Sequence, residues 1–317
     1  MKIALITPEM GARTGNWVTA ARYTRHLRQL GHRVVMANSY DGDHADALIA
    51  LHARRSAASI ERFSGEHPER PLIVVLTGTD LYRDIRWDAA ARRSLQIATR
   101  LVVLQRMGLH ELPEEVRPKT RVIYQSVPRR PRRRGRPPRS YFRVCVVGHL
   151  RPEKDPLRTA WAARQLPSSS RIAVWHIGSA LSGEMESLAR QEQASNPRYR
   201  WLGGQPHWRT LQIMAQSHLL AQTSLMEGSC NAVCEAIASC VPVVASRISG
   251  LLGTLGEDYP GCFPVENTDA LAELLQRAEA DESFYATLQR RCEGLQPLTL
   301  PERERQDWEA LLAEVTG

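Results

Sequence analysis

Short apolar runs alternate with amphipathic stretches along the whole chain. The runs have the length of buried strands, and the stretches between them repeat apolar residues at helical spacing. Before residue 128 the pattern predicts strands at 2–7, 33–37, 47–51, 72–76, 101–104 and 121–124, with helices at 16–30, 53–64 and 88–98. After residue 140 it predicts strands at 142–147, 171–177, 199–202, 219–222 and 242–245, with helices at 155–165, 182–194, 207–216, 230–239 and from 268 onward.

This alternation predicts an α/β fold, because strands separated by helices form parallel sheets with right-handed crossovers. A length of 317 residues accommodates two domains. We expect Rossmann-like domains at residues 1–127 and 141–300, and a final helix at 301–317 that packs back on the first domain. Ligands of such sheets bind at the carboxyl ends of the strands, so the two domains are expected to face a common cleft.

Residues 128–140 separate the two halves and contain seven arginines, four prolines and no acid. Proline lacks an N–H donor and like charges repel, so we expect an extended linker. These arginines account for most of the net charge of +8, and the overall charge therefore says little about either domain. Clustered arginines also bind phosphates, which leaves nucleic-acid binding as an alternative, although the segment lacks interleaved aromatic residues.

Composition narrows the class of protein. A hydrophobic content of 43% with 24% charged residues is typical of a globular domain, and no apolar run approaches the length of a membrane span. The first apolar run is too short for a signal peptide and is predicted to be a strand. The six cysteines include no C-x-x-C pair, so we expect buried thiols in a cytoplasmic protein without disulfides, metal or other cofactor.

Glu227 and Glu235 frame a predicted strand–turn–helix segment. Gly228 permits a tight turn, and the helix that follows places Asn231 and Glu235 on one face. The helix start offers free N–H groups to an anion, while carboxylates accept hydrogen bonds from vicinal hydroxyls. The segment therefore suits a ligand with phosphates in the middle and a sugar at either end, the alternative being two surface glutamates.

A cationic loop, Gly148-His-Leu-Arg-Pro-Glu-Lys154, follows the first strand of the second half. Its position at a strand end suits a diphosphate, and the alternative is a solvated turn. In the first half, Thr77-Gly-Thr-Asp80 follows a strand, and Asp80 is a candidate base, sugar ligand or helix N-cap.

Two further loops of the first half are predicted at the same edge. Gly11 and Gly15 allow close backbone approach where a helix opens at Asn16. Arg54 and Arg55 stand at a strand-to-helix junction, as anion ligands or as surface residues.

The segment from Glu227 to Glu235 is similar to the donor-site motif of the family 4 glycosyltransferases, which are GT-B enzymes that use nucleotide-sugars. The resemblance implies that Glu227 contacts the transferred sugar and Glu235 the nucleotide ribose. It also implies that Lys154 stabilises the leaving diphosphate, while His149 stands where the family has an arginine, whose charge Arg151 replaces. The implied donor-binding residues are Gly148, Gly228, Ser229, Cys230, Asn231 and Glu235.

Several segments together resemble a narrower group, the selenosugar synthases of bacterial selenoneine biosynthesis. They are His52-Ala-Arg-Arg-Ser, Leu76-Thr-Gly-Thr-Asp-Leu-Tyr-Arg-Asp, Gly148-His-Leu-Arg-Pro-Glu-Lys-Asp-Pro, Glu227-Gly-Ser-Cys-Asn, Ser246-Arg-Ile-Ser-Gly and Asp258-Tyr-Pro-Gly. The likeness runs from about residue 1 to 312 and is interrupted by the arginine-rich linker.

This resemblance implies that selenophosphate attacks the anomeric carbon of UDP-N-acetylglucosamine or UDP-glucose, giving a 1-selenosugar, UDP and phosphate. An anionic nucleophile needs no general base, which suits Thr77 at the position where family 4 enzymes often have histidine. The implied acceptor-binding residues are Gly11, Arg13, Gly15, Asn16, Arg54, Arg55, Thr77, Thr79 and Asp80, with Arg83 as a further cation. A glycosyltransferase with a hydroxyl or thiol acceptor and a non-catalytic nucleotide-sugar or RNA binder remain alternatives.

Overall fold

The computed structural model describes residues 1–8, 15–128, 137–138 and 140–316. Within these ranges the strands form two six-stranded sheets in which all neighbouring strands are parallel. The strands are β1 (Lys2–Ile6), β2 (Arg33–Ala37), β3 (Ala47–Leu51), β4 (Leu72–Leu76), β5 (Arg100–Val103), β6 (Thr120–Val122), β7 (Phe142–Val147), β8 (Ile172–Ile177), β9 (Tyr199–Trp201), β10 (Leu219–Gln222), β11 (Val243–Ser246) and β12 (Cys262–Phe263).

Helices connect the strands in nearly every crossover. They are α1 (Gly15–Gln29), α2 (Ala57–Glu66), α3 (Ile85–Trp87), α4 (Ala89–Ile97), α5 (Arg158–Arg164), α6 (Gly183–Ser195), α7 (His207–Ala215), α8 (Asn231–Ala238), α9 (Ser249–Leu255), α10 (Thr268–Ala280), α11 (Glu282–Leu295) and α12 (Pro301–Thr316). The predicted α/β class with parallel sheets is therefore confirmed.

Strand order creates one switch point in each sheet. The first sheet has the order β2-β1-β3-β4-β5-β6 and the second the order β12-β11-β10-β7-β8-β9. In each sheet the chain adds strands first on one side of the starting strand and then on the other. The loops that follow β1 and β3 therefore lead in opposite directions, and so do the loops that follow β7 and β10. In parallel α/β sheets, ligands bind in the crevice that opens at this point, outside the carboxyl ends of the strands.

The chain divides into two compact units. The first contains residues 1–126, 227–229 and 300–317, and the second contains residues 127–226 and 230–299. The strands of the first sheet all belong to the first unit, and those of the second sheet to the second unit.

Central strands are buried on both faces. Along β3, Leu48 and Ala50 join one apolar cluster of the first unit, while Ala47, Ile49 and Leu51 join another. Side chains alternate across a strand, so both faces of the sheet are covered. This is why the apolar runs were continuous rather than alternating in the sequence.

Helix α12 is held against α1 inside the first unit. The rings of Trp308 and Tyr23 meet edge to face with centroids 4.7 Å apart, and Glu304 pairs with Arg22 at 3.0 Å. Burial alone would raise the pKa of Glu304, but the pairing with Arg22 and hydrogen bonds from His26 and Ser126 outweigh it and lower the pKa to about 2. Glu304 is therefore an ionised anchor for the last helix.

Some predicted boundaries were wrong for local reasons. The helix expected from residue 53 begins at Ala57, because His52 has a left-handed backbone with φ of 73° and a turn follows it. The helix expected from residue 155 begins at Arg158, because Asp155 is also left-handed, with φ of 43°. The pattern also missed α9 and β12, which are among the shorter elements.

None of the helices in the described part of the chain has the length and apolar content that a membrane span requires. None of the six cysteines forms a disulfide.

Candidate active site

At the switch point of the second sheet, the loop after β7 lies directly against the loop after β8. The N–H of Gly148 donates to the carbonyl oxygen of Ile177 at 3.0 Å. A Cβ atom on Gly178 would lie only 1.8 Å from the carbonyl oxygen of Gly148, which is far inside any real contact distance. Glycine is therefore required at position 178, and the two loops are stacked backbone on backbone.

The buried side chain of His176 hydrogen-bonds to the loop after β7. The ring of His176 is fully buried, with Nε2 3.2 Å from the carbonyl oxygen of Gly148 and Nδ1 2.9 Å from the hydroxyl of Tyr199. Because a carbonyl oxygen only accepts, Nε2 carries the hydrogen and Nδ1 accepts from Tyr199. Burial lowers the pKa of His176 to about 4, so the ring is neutral near pH 7.

His149, for which the resemblance implied an arginine position, is oriented by Ser179. Its Nδ1 accepts a hydrogen bond from the N–H of Ser179 at 3.2 Å. This contact leaves Nε2 as the donor of the neutral ring. The side chain therefore offers one directed N–H rather than the permanent charge and fork of an arginine.

Lys154 ends a 3₁₀ turn, Pro152–Lys154, that is fastened to the segment after β10. The hydroxyl of Thr223 is 3.1 Å from the carbonyl oxygen of Lys154, and the N–H of Leu225 donates to the carbonyl oxygen of Glu153 at 2.9 Å. The stem of Lys154 passes Gly148, where an added Cβ would lie 3.9 Å from its Cδ. The backbone of Lys154 is thus held at the switch point, whereas Arg151, at the start of the turn, is exposed.

Helix α8 presents Glu235 in its second turn, as the sequence predicted. Val233 and Ile237 are buried in the apolar core of the second unit, which fixes the rotation of the helix. The side chain of Glu235 is only 12% exposed, and its Oε1 lies 2.6 Å from Nε2 of His207. Asn231 opens the same helix, directly after the buried Cys230.

His207 was not recognised in the sequence as a site residue. It is the first residue of α7 and lies 28 positions before Glu235, so no local spacing connects the two. The pattern predicted a helix start at 207 and gave no reason to pair it with Glu235.

Glu227, Gly228 and Ser229 occupy the connection between β10 and α8. Glu227 and Ser229 are buried residues, each at 8% exposure. A carboxylate at such low exposure is suited to a specific partner rather than to bulk solvent.

In the first unit, Asp80 has a structural position that the sequence did not predict. Its carboxylate is fully buried and accepts hydrogen bonds from the N–H groups of Ala53 at 2.9 Å, Gly78 at 2.8 Å and Thr77 at 3.0 Å. Both carboxylate oxygens are therefore used inside the protein. Asp80 ties the loop after β3 to the loop after β4, and its assignment as an acceptor ligand stays a prediction.

His52 is a second residue whose position went unrecognised, although it stands in a motif that we singled out. Its Nδ1 accepts from the N–H of Arg55 at 3.3 Å, so Nε2 is the donor toward the hydroxyl of Thr79 at 2.9 Å. The left-handed backbone of a non-glycine residue at this buried strand end is the only local signal, and it is not readable from sequence.

The arginines predicted to bind the acceptor, Arg54, Arg55 and Arg83, are exposed. Two of them, Arg54 and Arg83, pair with carboxylates. Arg54 pairs with Asp88 at 2.9 Å and reaches Asp84 at 3.7 Å, where Arg83 also binds at 3.2 Å. An anion at Arg54 would have to compete with these carboxylates.

The remaining predicted acceptor residues lie at loop ends. Thr77 and Thr79 are half-buried after β4, and Gly15 and Asn16 open α1. Gly11 and Arg13 lie outside the described residues.

Across the described ranges, no group of three or more histidine, cysteine, aspartate or glutamate side chains has the arrangement of a metal site. Lys154 and Arg151 are cationic side chains in the loop after β7.

Residues 130–293 match the family model described as glycosyl transferases group 1. This chain belongs to that family. The matched region includes Gly148, Lys154, Glu227 and Glu235. A comparison with curated protein sequences gave no match.

Solved structures of similar fold cover nearly the whole chain. Sucrose-phosphate synthase from Thermosynechococcus elongatus is 17% identical with a TM-score of 0.80, covering 99% of this chain and 98% of that one. HepE from Anabaena, in complex with UDP and glucose, is 16% identical with a TM-score of 0.75, covering 99% and 100%.

A third structure is the α,α-trehalose-phosphate synthase (UDP-forming) from Burkholderia xenovorans in complex with glucose-6-phosphate, which is 11% identical with a TM-score of 0.76 and full coverage of both chains. At these identities the likeness concerns the fold, and it confirms the predicted GT-B fold for this group 1 glycosyl transferase.

Proposed function

We propose that this protein transfers a hexose from a UDP-sugar. Family membership supports glycosyl transfer, and HepE, which has the same fold, was solved with UDP and with UDP-glucose. The observation that carries the proposal is the hydrogen bonding of the Lys154 turn to the segment after β10, at the switch point of the second sheet. These hydrogen bonds connect the turn that carries Lys154 to the segment that leads into the donor motif, at the edge where α/β sheets bind nucleotides.

In this proposal the diphosphate lies at the loop formed by Gly148 and His149. Lys154 supplies a positive charge close to it, and His149 donates through Nε2. Glu235 accepts hydrogen bonds from the ribose hydroxyls, and Glu227 from hydroxyls of the sugar.

The chemistry needs charge stabilisation at the leaving group. As the bond from the anomeric carbon to UDP breaks, negative charge grows on the diphosphate, and an ammonium group close to it lowers the energy of that state more than that of the bound substrate. The proposal gives no role to a metal ion, so EDTA should leave turnover unchanged.

We propose selenophosphate as the acceptor, on the basis of the segments shared with selenosugar synthases. Its selenium forms a bond to the anomeric carbon while the bond to UDP breaks, and water then cleaves the selenium–phosphorus bond to release phosphate. Thr77 at the position of the usual histidine fits this acceptor, since an anionic nucleophile loses no proton. Arg54 and Arg55, exposed at the strand edge of the first unit, are the proposed anion ligands.

One observation favours a second candidate, a hydroxyl acceptor. The charge of Arg54 is already balanced by Asp88 and Asp84, which weakens the case for an anion there. A neutral acceptor would instead use these carboxylates as hydrogen-bond acceptors.

The test is a product assay. Purified protein is mixed with UDP-N-acetylglucosamine or UDP-glucose, with and without selenophosphate, and UDP and selenium-containing hexoses are followed by mass spectrometry. A selenosugar that forms only with selenophosphate is expected. UDP release without selenium transfer would overturn the acceptor assignment, and no reaction or binding with any UDP-sugar would overturn the donor assignment as well.

A further inference from the structure

His207 pairs with Glu235 but has no role in the donor site as described so far. His207 is 54% exposed, whereas Glu235 is 12% exposed, and 2.6 Å separates Nε2 from Oε1. Because an ionised carboxylate only accepts hydrogen bonds, the hydrogen must be on Nε2 of His207. The contact fixes one oxygen of Glu235 and leaves Oε2 open to other donors.

The loop that carries His207 is fastened to the rest of the switch-point edge. The N–H of Gly178 donates to the carbonyl oxygen of Gly203 at 2.9 Å, and the amide of Gln205 donates to the carbonyl oxygen of Leu202 at 2.6 Å. The loop that leads into α7 is therefore tied at Gly203 to the same loop after β8 that stacks on Gly148. His207 follows this tied loop as the first residue of α7.

A carboxylate has about four lone-pair sites, so Glu235 can accept from His207 and from two ribose hydroxyls at once. Without His207, the glutamate side chain would sample several rotamers, and ordering it would cost free energy when the nucleotide binds. A histidine that holds one oxygen removes much of this cost in advance.

We propose that His207 is a positioning residue of the nucleotide site, which orients Glu235 for the 2′- and 3′-hydroxyls of the ribose. The inference rests on the proposed function, since it takes a uridine nucleotide as the ligand. It predicts that His207 contributes to binding only when the ligand carries ribose hydroxyls.

The experiment measures dissociation constants of UDP and of 2′,3′-dideoxy-UDP by calorimetry for the wild type and variants. His207→Ala should weaken UDP binding about five- to tenfold, as expected for one charge-assisted hydrogen bond, and leave dideoxy-UDP binding unchanged. His207→Gln, which keeps an N–H donor, should restore part of the UDP affinity. The matched control is His44→Ala, because His44 is 64% exposed and lies 3.8 Å from a carboxylate oxygen of Asp46 in the first unit.

The outcomes separate the two proposals. Wild-type protein that binds no UDP would overturn the proposed function and this inference with it. If UDP binds but His207→Ala matches the wild type, or weakens dideoxy-UDP equally, the positioning role is wrong while the donor assignment stands.

Discussion

The hydroxyl of Thr223 lies 3.1 Å from the carbonyl oxygen of Lys154. It also lies 2.8 Å from the carbonyl oxygen of Asp155, so one buried hydroxyl contacts both carbonyl groups at the end of the Pro152–Lys154 turn. Thr223 follows β10 and Lys154 follows β7, the two strands between which the order of the second sheet reverses. The position of the proposed catalytic lysine therefore depends on a residue that never needs to touch the substrate.

Thr223→Val should lower kcat by about tenfold while the protein remains folded. The substitution keeps the shape of the side chain but removes the hydroxyl, at a cost of about 1 kcal/mol in unfolding free energy. The turn that carries Lys154 then loosens, and small displacements of a charge-stabilising group cost rate. Steady-state kinetics with a UDP-sugar and a denaturant titration measure the two effects.

Thr223→Ser is the matched control, because serine retains the hydroxyl and should keep most of the activity. An unchanged kcat in Thr223→Val would show that the turn is held by its other contacts, such as the bond from Leu225 to Glu153.

Lys154→Ala should lower kcat by about two to three orders of magnitude, the range found when a preorganised charge-stabilising donor is removed. The KM for the UDP-sugar should change much less, because the charge matters most when the leaving group forms. Arg290→Ala, which removes an exposed cation on α11, is the control. Equal activity in the two variants would exclude Lys154 from catalysis.

The two sheets were predictable because each strand is marked by a continuous apolar run in its own sequence, and such runs recur along the chain. All five residues of β3 and of β4 are buried, and such continuous apolar runs separated by helices allow only a parallel sheet covered on both faces. The motif around Glu227 and Glu235 was likewise readable, since a strand, a glycine and a helix follow one another directly. Their assignment as ligand contacts stays a prediction.

Contacts between distant segments were not predictable. His207 reaches Glu235 only because α7 and α8, which belong to two separate crossovers of the second sheet, lie near each other. Asp80 offered three interpretations in the sequence, and tertiary packing brought the N–H of Ala53 to it from another strand end. Left-handed backbone at His52 and Asp155 shifted two helix starts for the same reason. Local propensity is overridden where loops from several strands meet.

His176 should make the stability of the protein depend on pH. Burial lowers its folded-state pKa to about 4, below the ordinary value of 6.5, so between these values the unfolded chain binds a proton that the folded chain does not. Stability should therefore fall as pH falls from 6.5 through 4, by roughly 3 kcal/mol in total from this group.

Denaturant titrations at intervals across this pH range measure the effect. His176→Gln, which cannot titrate, should show a flatter profile than the wild type. Parallel profiles would mean that the loss of stability comes from other groups.

Asp80→Asn should destabilise the first unit by about 1–3 kcal/mol, because an amide nitrogen would face buried N–H groups that now donate to a carboxylate. Activity should fall too, since the loops after β3 and β4 carry the proposed acceptor residues. Asp43→Asn, at an exposed position, is the control for the loss of one negative charge. Full stability in Asp80→Asn would contradict the structural role that we assign to it.

Arg54→Ala distinguishes the two proposed acceptors. If selenophosphate binds at the strand edge of the first unit, the variant should raise the KM for selenophosphate by about tenfold and leave the KM for the UDP-sugar unchanged, because one charge-assisted contact is lost. Arg93→Ala is the matched control, since Arg93 is 65% exposed and also pairs with a carboxylate, that of Glu61 at 3.2 Å. An unchanged KM for selenophosphate in Arg54→Ala would mean that Asp84 and Asp88 keep this guanidinium occupied, and the anion ligand would have to be sought elsewhere, first at Arg55.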